Sequence, residues 1–311
     1  MSTQAIHYVG VDVAQAALAL CGAPTATVSN QPDQLHPWLA QCRSEHPNLH
    51  LVCEATGRHH HALQAAAAKA GVPLSVLNPR QVRDFARSLG RLEKTDAVDA
   101  RVLQRYGETL QPAATALVPA ALRHLQDLLV VRQALVEEQT AWSNRQSLLS
   151  TAATRCCCRH RRSLARDLAY VEEQIAVLLD QPAAAPLQER VQTLCLVCGV
   201  GDRTAWVLVA WLAELGRCNH RQIAKLGGLA PLNRDSGRFR GERHIAHGRS
   251  PVRRALYLAA VVAARHNEHL RPFYLRLRAK GKPAKVAYVA VARKLLVFLN
   301  RLLSDAPPLT A

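Results

Sequence analysis

Four acids in the first hundred residues stand where carboxylates do chemistry. Asp12 interrupts an apolar run, 6–13, that reads as a buried strand, and Glu54 ends a second such run, 49–54. A lone carboxylate in a strand covered on both faces needs a partner or a cation to offset its desolvation. Asp96 and Asp99 lie three apart, so a helix starting here carries both on one face. Thr95 is a candidate N-cap, and acids in a first helical turn suit the helix dipole. A donor set made only of oxygens suits Mg2+, with Mn2+ as a substitute. The reaction that uses such a set is two-metal phosphodiester cleavage, in which ions about 4 Å apart polarise the scissile phosphate and activate the attacking oxygen. Read singly, Asp96 is equally a capping acid and Asp99 a helix-surface charge. Spacing alone leaves that alternative open.

A second cluster is basic. Ser236, in Asp235-Ser236-Gly237, has Arg234, Arg238, Arg240 and Arg243 around it. A serine among guanidinium groups can hold a phosphate or attack one, because the cations neutralise the oxygens of a pentacoordinate transition state. The same residues also describe a plain Ser-Gly turn in a DNA-binding loop. Gly199-Val200-Gly201 resembles a helix-hairpin-helix turn, whose backbone N–H groups meet phosphate without reading sequence. Arg249, Arg253 and Arg254 extend this basic region, and Arg80, Arg83 and Lys94 form a smaller one near the acids. Cys195 and Cys198 have metal-ligand spacing but no second pair nearby. Cys156-Cys157-Cys158 sits among arginines and reads as incidental, and His59-His60-His61, close after Glu54, reads as a solvated helix start or as an imidazole that touches the metal site.

These groups need a scaffold. Short strands are expected at 6–13, 18–20, 26–28, 49–54 and 72–77, with helices at 32–46, 60–70, 81–91 and 97–110, the pattern of an α/β sheet domain. Residues 112–119 form a linker by composition. A long helix is expected over about 120–153, and a second over 163–179. Leu128, Leu135, Trp142 and Leu149 recur every seven residues, which suits a coiled-coil seam or an amphipathic helix packed in its own domain. Beyond a hinge at 181–186, the region 187–303 is expected to be mainly helical, with 229–250 as a loop or short hairpin. Domains are therefore expected at 1–111, 119–181 and 187–303.

Charge narrows the partner. The 311 residues carry 40 Lys+Arg against 23 Asp+Glu, a net +17, which implies a polyanion such as nucleic acid. The excess is uneven: 1–110 holds 10 basic and 9 acidic residues, whereas 217–280 holds 15 and 3. There is no secretory opening and no apolar run of membrane length. Nine irregularly spaced cysteines suit reduced thiols, so a cytoplasmic, DNA-associated protein is expected.

Gly10-Val11-Asp12-Val13, Glu54-Ala55-Thr56-Gly57, Asn78-Pro79-Arg80-Gln81-Val82-Arg83 and Lys94-Thr95-Asp96-Ala97-Val98-Asp99-Ala100 together resemble the catalytic domain of DEDD insertion-sequence transposases, relatives of the Piv DNA invertase. Gly228-Leu229-Ala230-Pro231, Asp235-Ser236-Gly237, Arg253-Arg254-Ala255-Leu256-Tyr257 and Gly281-Lys282 are similar to the second domain of that family. The resemblance implies an RNase H-like (RuvC-like) α/β domain, a coiled-coil connector and a mainly α C-terminal domain. It further implies that Asp12, Glu54, Asp96 and Asp99 hold Mg2+ and that Ser236 forms a covalent phosphoserine link to DNA. The partners implied are donor and target DNA, a guide RNA (the bridge RNA) and other copies of the chain, as dimers pairing into tetramers. Cys198 and Arg58-His59 depart from the family pattern, where a proline and an aromatic are usual. Two other readings compete: a RuvC-like metal-dependent nuclease using water, and a non-catalytic nucleic-acid-binding protein.

Overall fold

The structure is a computed structural model that describes residues 5–90, 96–232, 235–236, 239–240 and 244–304, with no side chain described over 232–240. It divides into two compact units, Met1–Leu117 and Val118–Ala311.

The first unit runs β1 (His7–Val13), β2 (Ala17–Cys21), β3 (Thr27–Ser29), α1 (Pro32–Glu45), β4 (Leu49–Glu54), α2 (His60–Lys69), β5 (Leu74–Leu77), α3 (Pro79–Ser88) and α4 (Asp96–Leu110). The strands form one sheet in the order β3-β2-β1-β4-β5. β2 is antiparallel to both its neighbours, whereas β1, β4 and β5 run parallel. Because side chains alternate along a strand, β1 feeds two cores. Val9, Val11 and Val13 join Leu51 and Cys53 against Leu35, Trp38 and Leu39 of α1 and Leu63 of α2. Tyr8 joins Val52 on the other face, against Val82 of α3 and Val102 and Leu103 of α4. Burial on both faces explains why these strands are continuous apolar runs rather than alternating ones. The linker also has a task. Thr115 donates its N–H to the Leu74 carbonyl at 2.8 Å and accepts the Val76 N–H on Oγ1 at 2.9 Å, so it covers the open edge of β5.

The second unit runs α5 (Ala120–Gln146), α6 (Thr151–Leu179), a 3-10 turn at Pro182–Ala184, α7 (Ala185–Cys195), α8 (Asp202–Trp211) and α9 (His220–Leu226). It continues with β6 (Pro231–Leu232), β7 (Asp235–Ser236), β8 (Phe239–Arg240), β9 (His244–Ile245), α10 (Ser250–His266), α11 (Leu270–Ala279) and α12 (Ala284–Leu302). The long helix expected to reach about 153 stops earlier, and its successor begins well before 163. The cause is local: Ser150 accepts the Ala153 N–H on its side chain and so caps α6, turning the chain at 147–150. α5 and α6 form an antiparallel hairpin, tied by Arg132 to Glu172 at 2.8 Å and by His160 to Glu138 at 3.1 Å. Within the heptad run, Leu128 and Leu135 pack on the core of this unit, Trp142 meets the His160 ring edge-on, and Leu149 lies in the turn. The base of the hairpin (Leu122, Leu125, Leu129, Val171, Ile175) shares one core with Leu208 of α8, Leu256 of α10 and Leu295 of α12. All nine cysteines are free thiols. Among the described residues no helix is long and apolar enough to cross a membrane.

Candidate active site

Tyr8, Gly10 and Asp12 lie on one face of β1, the face that α4 covers. A Cβ at Gly10 would sit 2.0 Å from the Ala100 carbonyl oxygen and 2.4 Å from the Gln104 nitrogen. Near the other end of α4, a Cβ at Gly107 would sit 2.6 Å from the Tyr8 ring. The helix backbone therefore rests directly on the strand at Gly10, and α4 runs antiparallel to β1, with residue 107 beside residue 8 and residues 100–104 beside residue 10. Continuing that alignment brings the first turn of α4, with Asp96 and Asp99, to Asp12. Gly10→Ala is expected to push α4 off the sheet, at a cost of about 1–3 kcal/mol. The measurable result is a lowered Tm together with lost DNA cleavage, although residue 10 carries no reactive group. A variant with parental Tm and cleavage would remove this account of the contact.

Glu54 arrives by strand pairing. β1 and β4 are parallel with Gly10 opposite Val52 and Val11 opposite Cys53, so the next step along the register places Glu54 beside Asp12. Both acids thus end parallel strands at the carboxyl edge of the sheet, where ligands of open α/β sheets bind. The mutual field is visible on Asp12. Burial, then the charges of Asp99, Asp96 and Glu54, push its pKa from 3.8 up to about 6, against a lowering by the Val13 N–H. Such repulsion among four carboxylates is what a bound cation relieves, so the donor chemistry fits Mg2+. Among the described residues, however, no three His, Cys, Asp or Glu side chains are gathered closely enough to hold a metal ion.

The surroundings of this edge hold features that the spacing of residues did not reveal. Asn30 donates from Nδ2 to the carbonyls of Ala14 and His59, each at 3.0 Å, tying the end of β1 to the start of α2. His60 is half-buried and its ring packs edge-on against His61, with burial lowering its pKa. Arg80 and Arg83 lie exposed on the first turns of α3, which Asn78 caps by accepting the Arg80 N–H at 2.9 Å. Lys94 lies outside the described residues.

In the second unit, Ser236 occupies the last paired position of β7, opposite Phe239 of β8, and β6 pairs with β9 around this inner pair. The expected loop or hairpin over 229–250 is thus a two-tier hairpin. Arg234, Arg238 and Arg243 lie outside the described residues, and Arg240 is described only as a backbone position of β8. The neck of the hairpin is built from glycines. Gly228 and Gly248 both have positive φ, 65° and 66°, and a Cβ on Gly248 would lie 2.3 Å from the Gly228 nitrogen. Only residues without Cβ let the two strands of the neck cross this closely. Arg253 ties the crossing from α10, donating to the His247 carbonyl at 2.7 Å. Arg249, expected to face nucleic acid, instead forms a two-pronged pair with Glu214 at 2.5 and 2.7 Å and reaches the Trp211 carbonyl. Burial opposes ionisation of Glu214, but the Arg249 hydrogen bonds win and lower its pKa. Arg254 pairs with Glu137 of α5 at 2.9 Å. In the Gly-x-Gly turn, Gly199 has φ 104° and abuts Ala263 of α10, while Gly201 is the open N-cap position of α8.

A profile for DEDD-type transposases matches residues 9–152, and one described as Transposase IS116/IS110/IS902 family matches residues 191–275. The chain belongs to the IS110 family of transposases. The transposase is 27% identical over 312 residues to the pilin gene-inverting protein of Moraxella bovis, covering 93% of each chain. It is 31% identical over 137 residues to an uncharacterized 43.6 kDa protein of insertion element IS110 from Streptomyces coelicolor, 43% of this chain and 32% of that one. It is 40% identical over 86 residues to an uncharacterized 42 kDa protein of insertion element IS900 from Mycobacterium paratuberculosis, 27% of this chain and 21% of that one. The transposase is accordingly an enzyme that cleaves and rejoins DNA.

Proposed function

We propose that this transposase cuts and rejoins DNA by transesterification through Ser236, with Mg2+ held by Asp12, Glu54, Asp96 and Asp99. The metal half is supported by the register that sets Glu54 beside Asp12 and by the seating of α4 on Gly10, with the pKa of Asp12 raised to about 6 by burial and by the charges of Asp99, Asp96 and Glu54. The sheet order and the antiparallel second strand support reading the first unit as an RNase H-like domain. When bound, the ion supplies Lewis-acid polarisation of the scissile phosphate. Ser236 contributes the nucleophile: its Oγ forms a bond to phosphorus as the bond to one deoxyribose oxygen breaks, and the proton lost by the serine ends on that oxygen, which leaves as a hydroxyl. A hydroxyl of the strand to be joined then attacks the phosphoserine, breaking the Oγ–P bond and restoring the serine. No high-energy cofactor is consumed, because one phosphodiester is conserved throughout. The arginines at 234, 238, 240 and 243 offset charge on the phosphorane-like transition state.

DNA selection is assigned to a guide RNA, and the working enzyme to a dimer that pairs into a tetramer, in which carboxylates of one copy serve the serine of another. The test uses full-length protein, supercoiled donor DNA, copurifying RNA and Mg2+, resolved on denaturing gels. A covalent protein–DNA species that depends on Mg2+ is expected. Nicked DNA without an adduct would instead indicate hydrolysis by water, and absence of cleavage with any divalent ion would indicate binding alone. Loss of adduct on ribonuclease treatment checks the guide.

A further inference from the structure

We infer that the outer face of α6 is a docking surface for the phosphodiester backbone of duplex DNA, built from residues other than the four acids and the Ser236 hairpin. Between Glu138 and Asp167 the chain has six arginines and not one acid. Four of the six, Arg155, Arg159, Arg162 and Arg166, are spaced 4, 3 and 4 apart. At about 100° per residue they fall within about 60° of arc. Cys157, Leu164, Val171 and Ile175 are buried and fall within about 40° of the opposite meridian. The stripe therefore points away from the hairpin interior, and all four arginines are exposed. Arg161, off this meridian, is spent inside the hairpin on Gln146 at 2.5 Å.

Among the described residues none of the four is in an ion pair, whereas other arginines of the unit, Arg132, Arg203, Arg249 and Arg254, are matched with carboxylates. Like charges at these spacings repel, by about 0.2–0.5 kcal/mol for each neighbouring pair. Among the described residues no carboxylate is paired with these arginines to offset that repulsion, and a polyanion outside the fold would. The stripe spans 11 residues, about 16 Å, along which a duplex presents roughly ten phosphate charges. Glu173, next on the same meridian, ends the basic run. The segment lies between the two matched regions, 9–152 and 191–275, so neither family profile covers it.

The inference rests on the enzyme acting on nucleic acid, not on the identity of its nucleophile. The experiment compares the full-length parent with Arg155→Gln/Arg159→Gln/Arg162→Gln/Arg166→Gln and with the fourfold lysine variant. Binding to a labelled 40-base-pair DNA duplex and to a labelled RNA hairpin is measured from 50 to 300 mM salt. The glutamine variant is expected to flatten the slope of log K against log salt by about 3 to 4 on the DNA duplex, at about 0.9 per phosphate contact, and to leave the slope on the RNA hairpin at the parental value. The lysine variant keeps the parental slope. A change confined to the RNA hairpin overturns the assignment to duplex DNA. An unchanged slope on DNA overturns it too, whether or not light scattering shows a shift in oligomeric state. Ser236→Ala removes no charge and leaves these slopes intact, so failure of the serine mechanism and failure of the stripe are read separately.

Discussion

Ser236→Ala is expected to abolish the covalent protein–DNA species and to lower recombination by at least about 10^3-fold, while DNA and RNA binding stay at parental levels. The physical reason is that alanine removes the only atom that can form the Oγ–P bond and leaves the surrounding charge unchanged. The pairing of the hairpin does not depend on that hydroxyl, because β7 and β8 are held by backbone register, Asp235 to Arg240 and Ser236 to Phe239. Stability is therefore expected to stay within about 0.5 kcal/mol of the parent. Ser236→Cys offers a useful contrast, since a thiol keeps a nucleophile in place. An adduct of normal yield in Ser236→Ala, mapped to another residue, would end the assignment of this serine. Adduct loss accompanied by weakened binding would show that Ser236 only supports the DNA-binding loop.

The second large effect is expected at Asp12. Asp12→Asn keeps the shape of the side chain but removes one negative charge, and Mg2+-dependent cleavage is expected to fall on the order of 10^3-fold. Stability should move the other way. Asp12 has a pKa raised to about 6, so its protonated form is the one the fold prefers. The unfolded chain releases that proton near 3.8, and the fold loses stability as pH rises from there through 6. Below about pH 3.8 the two proteins are expected to be equally stable in this respect. Above pH 6 the metal-free variant is expected to be more stable, by about 1 kcal/mol once solvent at the partly exposed edge is allowed for. That corresponds to a Tm higher by about 2–4 °C. Adding Mg2+ is expected to raise the Tm of the parent more than that of the variant, since a ligand of the native state alone stabilises it by mass action. Thermal melts at pH 5 and 8, with and without Mg2+, check the sign. A variant less stable than the parent at pH 8 without metal would mean that Asp12 is held by a favourable partner and not by repulsion.

Much of this protein is legible from residue order. The strands and helices of the first unit follow the apolar runs and their breaks, because local patterning decides which segments bury both faces. The acids at 12, 54, 96 and 99 stand out for the same reason, as charges at the ends of buried elements. The C-terminal basic excess is equally plain, since charge and composition need no fold to be counted, whereas Ser236 among its arginines reads both as a nucleophile and as a turn.

What only the tertiary structure decided is how far these groups meet and which charges are already spent. Asp12, Glu54 and the α4 acids share one edge because Gly10 has no Cβ and α4 can lie against β1, a contact between residues some ninety positions apart. No local pattern distinguishes that glycine from one in a turn. The same holds for Gly228 and Gly248, whose crossing closes the neck of the serine hairpin. Arg249 and Arg254 look like phosphate ligands in the sequence, yet each faces a carboxylate, Glu214 and Glu137, far away along the chain. By contrast Arg155, Arg159, Arg162 and Arg166 draw no notice as a string of letters among cysteines. Helical winding gathers them on one exposed meridian, and the packing of α5 against the opposite side leaves them to solvent. Chain order thus states which charges exist; the long-range contacts between elements determine which of them remain to act on DNA.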